Sequence, residues 1–138
     1  MLQALEKFDP GLTRRHWAAD SFQGLPPPQE EDHGGTLFEG KAGEFKAGVD
    51  IFLGNVRKWN ITGLDARLCI LEGWFNETLP TAPITSISFL RLDGDLYAST
   101  MDALEALYDK ALPDQLFDWP PTTAAWEAVW WVKGPCSN

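Results

Sequence analysis

The stretch Ser88-Phe-Leu-Arg-Leu-Asp93-Gly94-Asp95-Leu-Tyr-Ala-Ser-Thr100 decides the fold class of this chain. A mostly apolar run, Ile87 to Leu92, leads directly into two carboxylates, Asp93 and Asp95, separated by one glycine. A helical pattern follows. A buried strand that ends in paired acids and turns into a helix is how α/β enzymes place reactive groups at the carboxyl edge of a sheet. The sequence therefore predicts an α/β domain with its chemistry at these two acids.

Apolar periodicity predicts the other elements. Further short strands are predicted at 16–19 and 68–71. One amphipathic helix is predicted at 44–59, with Gly63 as its stop signal. Another is predicted at 99–110, with Ser99 or Thr100 as its N-terminal cap. Residues 21–35 and 73–83 are predicted to be loops. Alternation of strands and helices favours a parallel sheet covered by helices. The tail from Ala111 is rich in tryptophan and shows no full strand pattern.

Length and charge restrict the function classes. The chain has 138 residues and a formal net charge of −9, from 11 basic and 20 acidic residues. This indicates one domain whose field repels nucleic acids and anionic membranes, which leaves a small neutral or cationic molecule as the partner. The start resembles no signal peptide, and no apolar run approaches the roughly 20 residues of a membrane span. We therefore expect a cytoplasmic protein, and the sequence leaves a homo-oligomer open.

The acids allow more than one interpretation. Asp93 and Asp95 could bind a divalent cation, and one could take a proton as general base, or both could simply cap a turn before the helix. Asp20 ends the first predicted strand. An acid at such a position in a nucleotide-binding α/β sheet accepts hydrogen bonds from ribose hydroxyls. The alternative is that Asp20 only begins an Asp-Ser turn. We interpret His16, inside that strand, as structural, and the run Glu30-Glu31-Asp32 as a solvated surface.

Three segments resemble the macrocin O-methyltransferase family of S-adenosylmethionine-dependent sugar methyltransferases. They are Trp17-Ala-Ala-Asp-Ser-Phe-Gln-Gly-Leu-Pro26, Gly73-Trp-Phe-Asn-Glu-Thr-Leu-Pro80 and Leu90-Arg-Leu-Asp-Gly-Asp-Leu-Tyr-Ala-Ser-Thr-Met-Asp-Ala-Leu-Glu-Ala-Leu-Tyr108, in the family's order. The resemblance implies a partial Rossmann-like class I methyltransferase sheet with flanking helices that lacks the usual first strand. It divides the chain into an N-terminal extension (1–13), a methyltransferase-like core (14–110) and a divergent tryptophan-rich tail (111–138).

The resemblance also implies a site. It matches Asp93 to the family's metal-binding acid and Asp95 to its neighbour, and either could deprotonate a hydroxyl of a sugar or other small molecule. Asp20, with Ser21 beside it, matches the acid that holds the cofactor ribose, and the pair Gly73-Trp74 would lie near the adenine. The implied cofactors are S-adenosyl-L-methionine and Mg²⁺.

The chain also departs from the family pattern. Nothing before Asp20 matches the family's glycine-rich first strand, and only Asp118 matches the two adjacent aspartates that complete its metal site, because Phe117 stands in place of the first. A non-catalytic remnant or binding module is therefore the alternative to an active methyltransferase. A haloacid-dehalogenase-like phosphotransferase is a more distant one, since an apolar strand followed by Asp-x-Asp is its nucleophile motif; Tyr97 departs from that motif.

Overall fold

A computed structural model describes residues 2–32 and 41–111 in full, and residues 117–118 and 128–133 as backbone strands. The strands β1 (Arg14–Asp20), β2 (Leu68–Glu72), β3 (Ile87–Arg91), β4 (Phe117–Asp118) and β5 (Ala128–Lys133) form one sheet in the order β2-β1-β5-β3-β4. β1 and β2 pair in parallel, as do β3 and β4, whereas β5 is antiparallel to both β1 and β3. The carboxyl ends of β1 to β4 therefore lie at one edge of the sheet.

The central strand is where the sheet differs from the predicted parallel arrangement. β5 pairs along its whole length with β1, from Arg14 with Lys133 to Ala19 with Ala128, and on its other side with β3. The segment Ala128-Val-Trp-Trp-Val132 is a continuous apolar run, which is typical of a strand in a sheet that is covered on both faces. Such a run has no alternation, so periodicity alone cannot separate it from a helix.

Helices cover both faces of the sheet, which confirms the predicted α/β class. They are α1 (Leu2–Phe8), α2 (Val49–Arg57), α3 (Leu64–Arg67), α4 (Phe75–Thr78) and α5 (Tyr97–Leu107). One apolar cluster joins Trp17, Cys69 and Leu90 of the sheet to Leu107 of α5. A second apolar cluster packs side chains of α1, α2 and α3 together with Leu68 of β2. Burial of one large apolar side chain in such clusters contributes about 1.5–3 kcal/mol.

The local backbone explains why several elements differ from the predicted ones. α2 begins at Val49 and not at 44, because Gly43 (φ 78°) and Phe45 (φ 65°) are left-handed and cannot continue a helix. Gly63 (φ 67°) precedes α3 and does not end α2. The predicted loop 73–83 contains α4 and a 3₁₀ turn, Leu79–Thr81. His16 is buried in β1, as expected for a structural residue.

The start of α5 also differs from the prediction. The helix begins at Tyr97, two residues before Ser99, so neither Ser99 nor Thr100 can cap it. The residue at the cap position, Leu96, has no polar side chain to offer. The carboxylate of Asp32 accepts the Tyr97 N–H instead, with Oδ1 at 2.7 Å from the nitrogen. No helix within the described ranges is long and apolar enough to span a membrane.

A buried arginine attaches α1 to the rest of the domain. Arg67 is only 3% exposed, and its guanidinium donates to the carbonyl oxygens of Leu5 (3.2 Å), Asp9 (2.9 Å) and Thr62 (3.1 Å). Two of these carbonyls belong to the end of α1 and the turn after it, and each also accepts a backbone N–H: Leu5 O that of Asp9 at 2.8 Å, and Asp9 O that of Leu12 at 3.2 Å. Arg67 therefore adds a second, charged donor to each and holds the end of α1 against a distant element.

Replacement of Arg67 by alanine is expected to lower the free energy of unfolding by about 2–4 kcal/mol, because three hydrogen bonds from a buried charged donor are lost together with its packing. Urea unfolding followed by circular dichroism measures this. Arg57→Ala, at an exposed position on α2, is the matched control and should change stability by less than about 0.5 kcal/mol. Equal midpoints for the two variants would contradict the role assigned to Arg67.

Candidate functional site

A cleft of about 220 Å³ lies at the carboxyl edge of the sheet. Its walls come from the chain after β1, the loop after β2, and the turn that joins β3 to α5. Six acidic residues line it: Asp20, Asp32, Glu77, Asp93, Asp95 and Asp102. Among the described residues that line the cleft there is no lysine, arginine or histidine. An acidic, concave site at this edge is suited to a cationic ligand or to proton transfer.

Asp20 connects the ends of two neighbouring strands. Its Oδ1 accepts the Phe22 N–H at 2.5 Å, and its carbonyl oxygen accepts the Gly73 N–H at 2.9 Å. Burial raises the pKa of Asp20, and the hydrogen bond from the Phe22 amide acts in the opposite direction. No donor from the described part of the chain bonds Oδ2, so this oxygen can accept a hydrogen bond from a ligand.

Ser21 is part of the turn that follows Asp20. Its buried hydroxyl donates to the Gly24 carbonyl oxygen at 2.9 Å and accepts the Gln23 N–H at 3.0 Å. Gly24 has φ 88°, and a Cβ there would lie 2.4 Å from the carbonyl oxygen of Glu44. The geometry of this turn therefore needs both the serine hydroxyl and the glycine, and Ser21 lines the cleft while serving the turn.

The segment after β2 places an aromatic side chain in the cleft. Trp74 is half-buried and lines the cleft, whereas Gly73 is not among the residues that line the cleft. Gly73 has φ 139°, and a Cβ there would lie 2.6 Å from Cγ2 of Thr78. Glycine is therefore required at this position for the close approach to α4 and for the bond to Asp20.

The two acids after β3 have different surroundings. Asp93 is mostly buried, and its Oδ2 forms an ion pair with the Arg91 guanidinium at 2.8 Å. Asp95 has a left-handed backbone (φ 57°), which aims its side chain away from the line of the strand. Burial raises the pKa of Asp95, and the negative charges of Asp93 and Asp20 raise it further. Asp95 is thus the acid of this corner that is best prepared to hold a proton.

Of the two predicted metal ligands, Asp93 and Asp118, only Asp93 has its side chain in the described part of the chain. Within the fully described ranges, no group of three or more His, Cys, Asp or Glu side chains is arranged to hold a metal ion. Asp93 is engaged by Arg91. The backbone register places Asp118 of β4 beside Arg91 of β3, but the Asp118 side chain lies outside the described part.

Sequence reasoning missed three acids of the cleft. Glu77 and Asp102 lie on helices, α4 and α5, whose lengths or limits differed from the prediction. Asp32 belongs to the run interpreted as a solvated surface, yet it lines the cleft and bonds to α5. A hydrogen bond between residues 65 positions apart leaves no periodic signal in the sequence.

The fold and the site together define an α/β protein of the Rossmann-like class with an acidic ligand cleft at the carboxyl edge of its sheet. Comparison with known families identifies it further. The macrocin-O-methyltransferase (TylF) family model matches residues 1–116, and the chain belongs to this family. The resemblance seen in the sequence is thereby confirmed. Membership of this family argues against the phosphotransferase alternative.

Named relatives agree with this assignment. The chain is 38% identical over 110 residues to demethyldecarbamoylnovobiocin O-methyltransferase of Streptomyces niveus and 39% identical over 104 residues to mycinamicin III 3''-O-methyltransferase of Micromonospora griseorubida. Both alignments cover 72% of this chain and 41% of the relative. The solved structure of the O-methyltransferase NovP has 39% identity and a TM-score of 0.55, over 69% of this chain and 40% of that one. The chain thus spans about two fifths of the length of these relatives.

The raised pKa of Asp95 predicts how stability depends on pH. The folded state binds the Asp95 proton more tightly than the unfolded state does, which favours folding at low pH. This stabilisation is lost as the pH rises from 3.8, the ordinary pKa of an aspartate, through the raised pKa of the folded state. Asp95→Asn should therefore be more stable than the parent at pH 7, by about 0.5–1 kcal/mol for a partly exposed site.

The advantage of Asp95→Asn should shrink as the pH falls towards 4. Urea unfolding between pH 4 and pH 7 measures it. Asp109→Asn, at an exposed position beyond α5, is the control and should follow the parent throughout. An Asp95→Asn protein that is less stable than the parent at pH 7 would contradict the destabilisation assigned to burial of the Asp95 charge and to its acidic neighbours.

Proposed function

We propose that this chain carries the acids of an S-adenosylmethionine-dependent O-methyltransferase site that acts on a hydroxyl of a sugar or other small molecule. The observation that supports this proposal most directly is electrostatic. Asp20 ends β1 and Asp95 lies in the turn after β3, and both line the same cleft. They are close enough for the negative charge of Asp20 to contribute to the raised pKa of Asp95. One acid would serve the cofactor and the other the acceptor hydroxyl.

The residues on the cofactor side suit a positively charged nucleoside. S-adenosylmethionine supplies a methyl group on a sulfonium cation, and the acids that line the cleft favour such a charge. Asp20 would accept ribose hydroxyls at Oδ2, since its Oδ1 already holds the Phe22 amide. Trp74 would contact the adenine, with Gly73 allowing the approach, and Ser21 would hold the turn that carries Asp20.

Asp95 would act as the general base. Its raised pKa makes its carboxylate a stronger base than that of an ordinary aspartate. The proton of the acceptor hydroxyl would pass to the Asp95 carboxylate as the oxygen forms its bond to the methyl carbon and the carbon–sulfur bond breaks. Arg91 holds Asp93 beside this corner and keeps its charge paired. Asp93 is the alternative base.

We include Mg²⁺ in the proposal as a cation that Asp93 and Asp118 would hold. Two carboxylates with several retained waters suffice for Mg²⁺, and β4 runs directly beside β3 at this position. Arg91 would have to release Asp93 for a cation to bind, and we assign no step of the reaction to it. We place the reaction in the cytoplasm, as the sequence predicts.

A second function is favoured by the ion pair at the acceptor corner. Arg91 engages Asp93, one of the two acids that could serve as base or metal ligand. A cleft whose acid is held in this way could bind a ligand and not turn it over. A non-catalytic binding module is therefore the competing candidate.

Isothermal titration with S-adenosylmethionine, with and without Mg²⁺, tests the step that both candidates share, which is binding of the cofactor. The parent chain is expected to bind, and Asp20→Asn should weaken binding about tenfold or more, because a charge-assisted hydrogen bond to the ribose is lost. Asp109→Asn is the matched control and should bind as the parent does. Methyl transfer to a panel of deoxysugar glycosides then separates an enzyme from a binding module.

Two outcomes would count against the proposal. The absence of heat at millimolar S-adenosylmethionine would contradict cofactor binding by this chain. Equal affinity in Asp20→Asn and the parent would contradict the role of Asp20. A heat change that depends on Mg²⁺ and grows in Arg91→Ala would support the cation part, because Asp93 would then be released from its partner.

A further inference from the structure

The chain after β1 crosses the carboxyl edge of the sheet as a strap, which we define as residues 21–32. At its beginning, the ring of Phe22 packs edge-on against Phe52 of α2, with 5.8 Å between ring centroids and 60° between ring planes. At its end, Asp32 bonds to the first residue of α5. Because α2 and α5 contribute to the clusters on opposite faces of the sheet, the strap passes over the cleft from one helical layer to the other.

The middle of the strap is held by backbone pairing. The Leu25 N–H donates to the Glu44 carbonyl oxygen at 3.0 Å, and the Gly43 N–H donates to the Leu25 carbonyl oxygen at 2.9 Å. Gly24 has no Cβ to keep this neighbouring segment away. The strap is thus attached at three points, and Asp32 is its point of attachment to α5.

The geometry at Asp32 is that of a helix cap supplied by a distant residue. Oδ1 accepts the Tyr97 N–H and Oδ2 accepts the Gln29 N–H, each at 2.7 Å. The helix has no side-chain cap of its own. The first N–H groups of a helix lack internal partners, and an anionic oxygen there both accepts a hydrogen bond and interacts favourably with the helix dipole.

We propose that Asp32 is a positioning residue that couples the ribose side of the cleft to the acceptor corner. The strap begins next to Asp20, and α5 begins two residues after Asp95, so one hydrogen bond joins the two halves of the site. Ordering of the strap, for example by a ligand, stabilises the start of α5. Ordering of the start of α5 stabilises the strap by the same free energy, because coupling between two sites is reciprocal. The link itself does not depend on the proposed function.

Amide hydrogen exchange in the ligand-free chain tests the link. The reporters are the Thr100 amide, which bonds to the Leu96 carbonyl oxygen within α5, and the Leu25 amide at the middle of the strap. Asp32→Ala should accelerate exchange at both about fivefold, the usual effect of losing a helix cap. Asp32→Asn keeps one acceptor oxygen, which can accept the Tyr97 N–H while the Gln29 N–H loses its acceptor, so exchange at both amides should accelerate less than in Asp32→Ala. Glu31→Gln, an exposed neighbour outside the cleft, should change neither amide.

The donor can be removed independently. Tyr97→Pro removes the N–H at the first helical position, where proline is well tolerated, and Leu96 already has the extended backbone that precedes a proline. Exchange at Leu25 should accelerate as it does in Asp32→Ala, and the double variant should add nothing further. Unchanged exchange in Asp32→Ala, or additive effects in the double variant, would overturn the proposal.

A ligand experiment extends the test and rests on the proposed function. S-adenosylmethionine affinity, measured by calorimetry, should fall about fivefold in both Asp32→Ala and Tyr97→Pro and stay unchanged in Glu31→Gln. Failure of the parent chain to bind would remove the proposed function while the exchange result still decides the link. Binding that is equal in all variants would show that the strap and the corner are not coupled to the ligand.

Discussion

Because β1 and β3 both pair antiparallel with β5, they run in the same direction, and their carboxyl ends share an edge. Reversal of either strand would send Asp20 and Asp95 to opposite edges of the sheet, too far apart to affect each other. The shared direction also places the strap and the start of α5 above the same cleft. The site therefore depends on how the sheet is paired more than on any one side chain, and acids at this edge are useful because the pairing brings them together.

The acids of the cleft are held against their own repulsion. Asp95 combines a left-handed backbone with a pKa raised by burial and by two neighbouring charges, and Asp93 is balanced by the one guanidinium described beside it, that of Arg91. A domain optimised only for stability would replace such a corner with a neutral turn. Strain and like charges that persist at one edge are typical of sites maintained for a ligand or a reaction. The apolar clusters on the two faces supply the stability that offsets them.

The sequence predicted the parts of the fold that have local causes. The apolar runs predicted β2 and β3 to within one residue at each end and the middle of β1, which begins two residues earlier than predicted. The position of Asp20, Asp93 and Asp95 at or just after strand ends followed from them. The start of α5 was predicted two residues late, because its cap is supplied by Asp32, 65 positions earlier in the chain. β5 was not predicted, because an apolar run in a sheet that is covered on both faces carries no alternation. The limits of sequence reasoning here are the contacts between distant segments.

The place of β5 in the sheet sets the order in which the domain can form. Arg14 of β1 pairs with Lys133 of β5, far along the chain, and the family match ends at residue 116, before β5 begins. Until residues 128–133 have been synthesised, the inner edges of β1 and β3 have no partner from β5, and closing so long a loop is slow. Unpaired inner edges of this kind bind other strands readily. The backbone pairing that joins the two halves of the sheet, and with them the two halves of the cleft, is therefore complete only once β5 is in place.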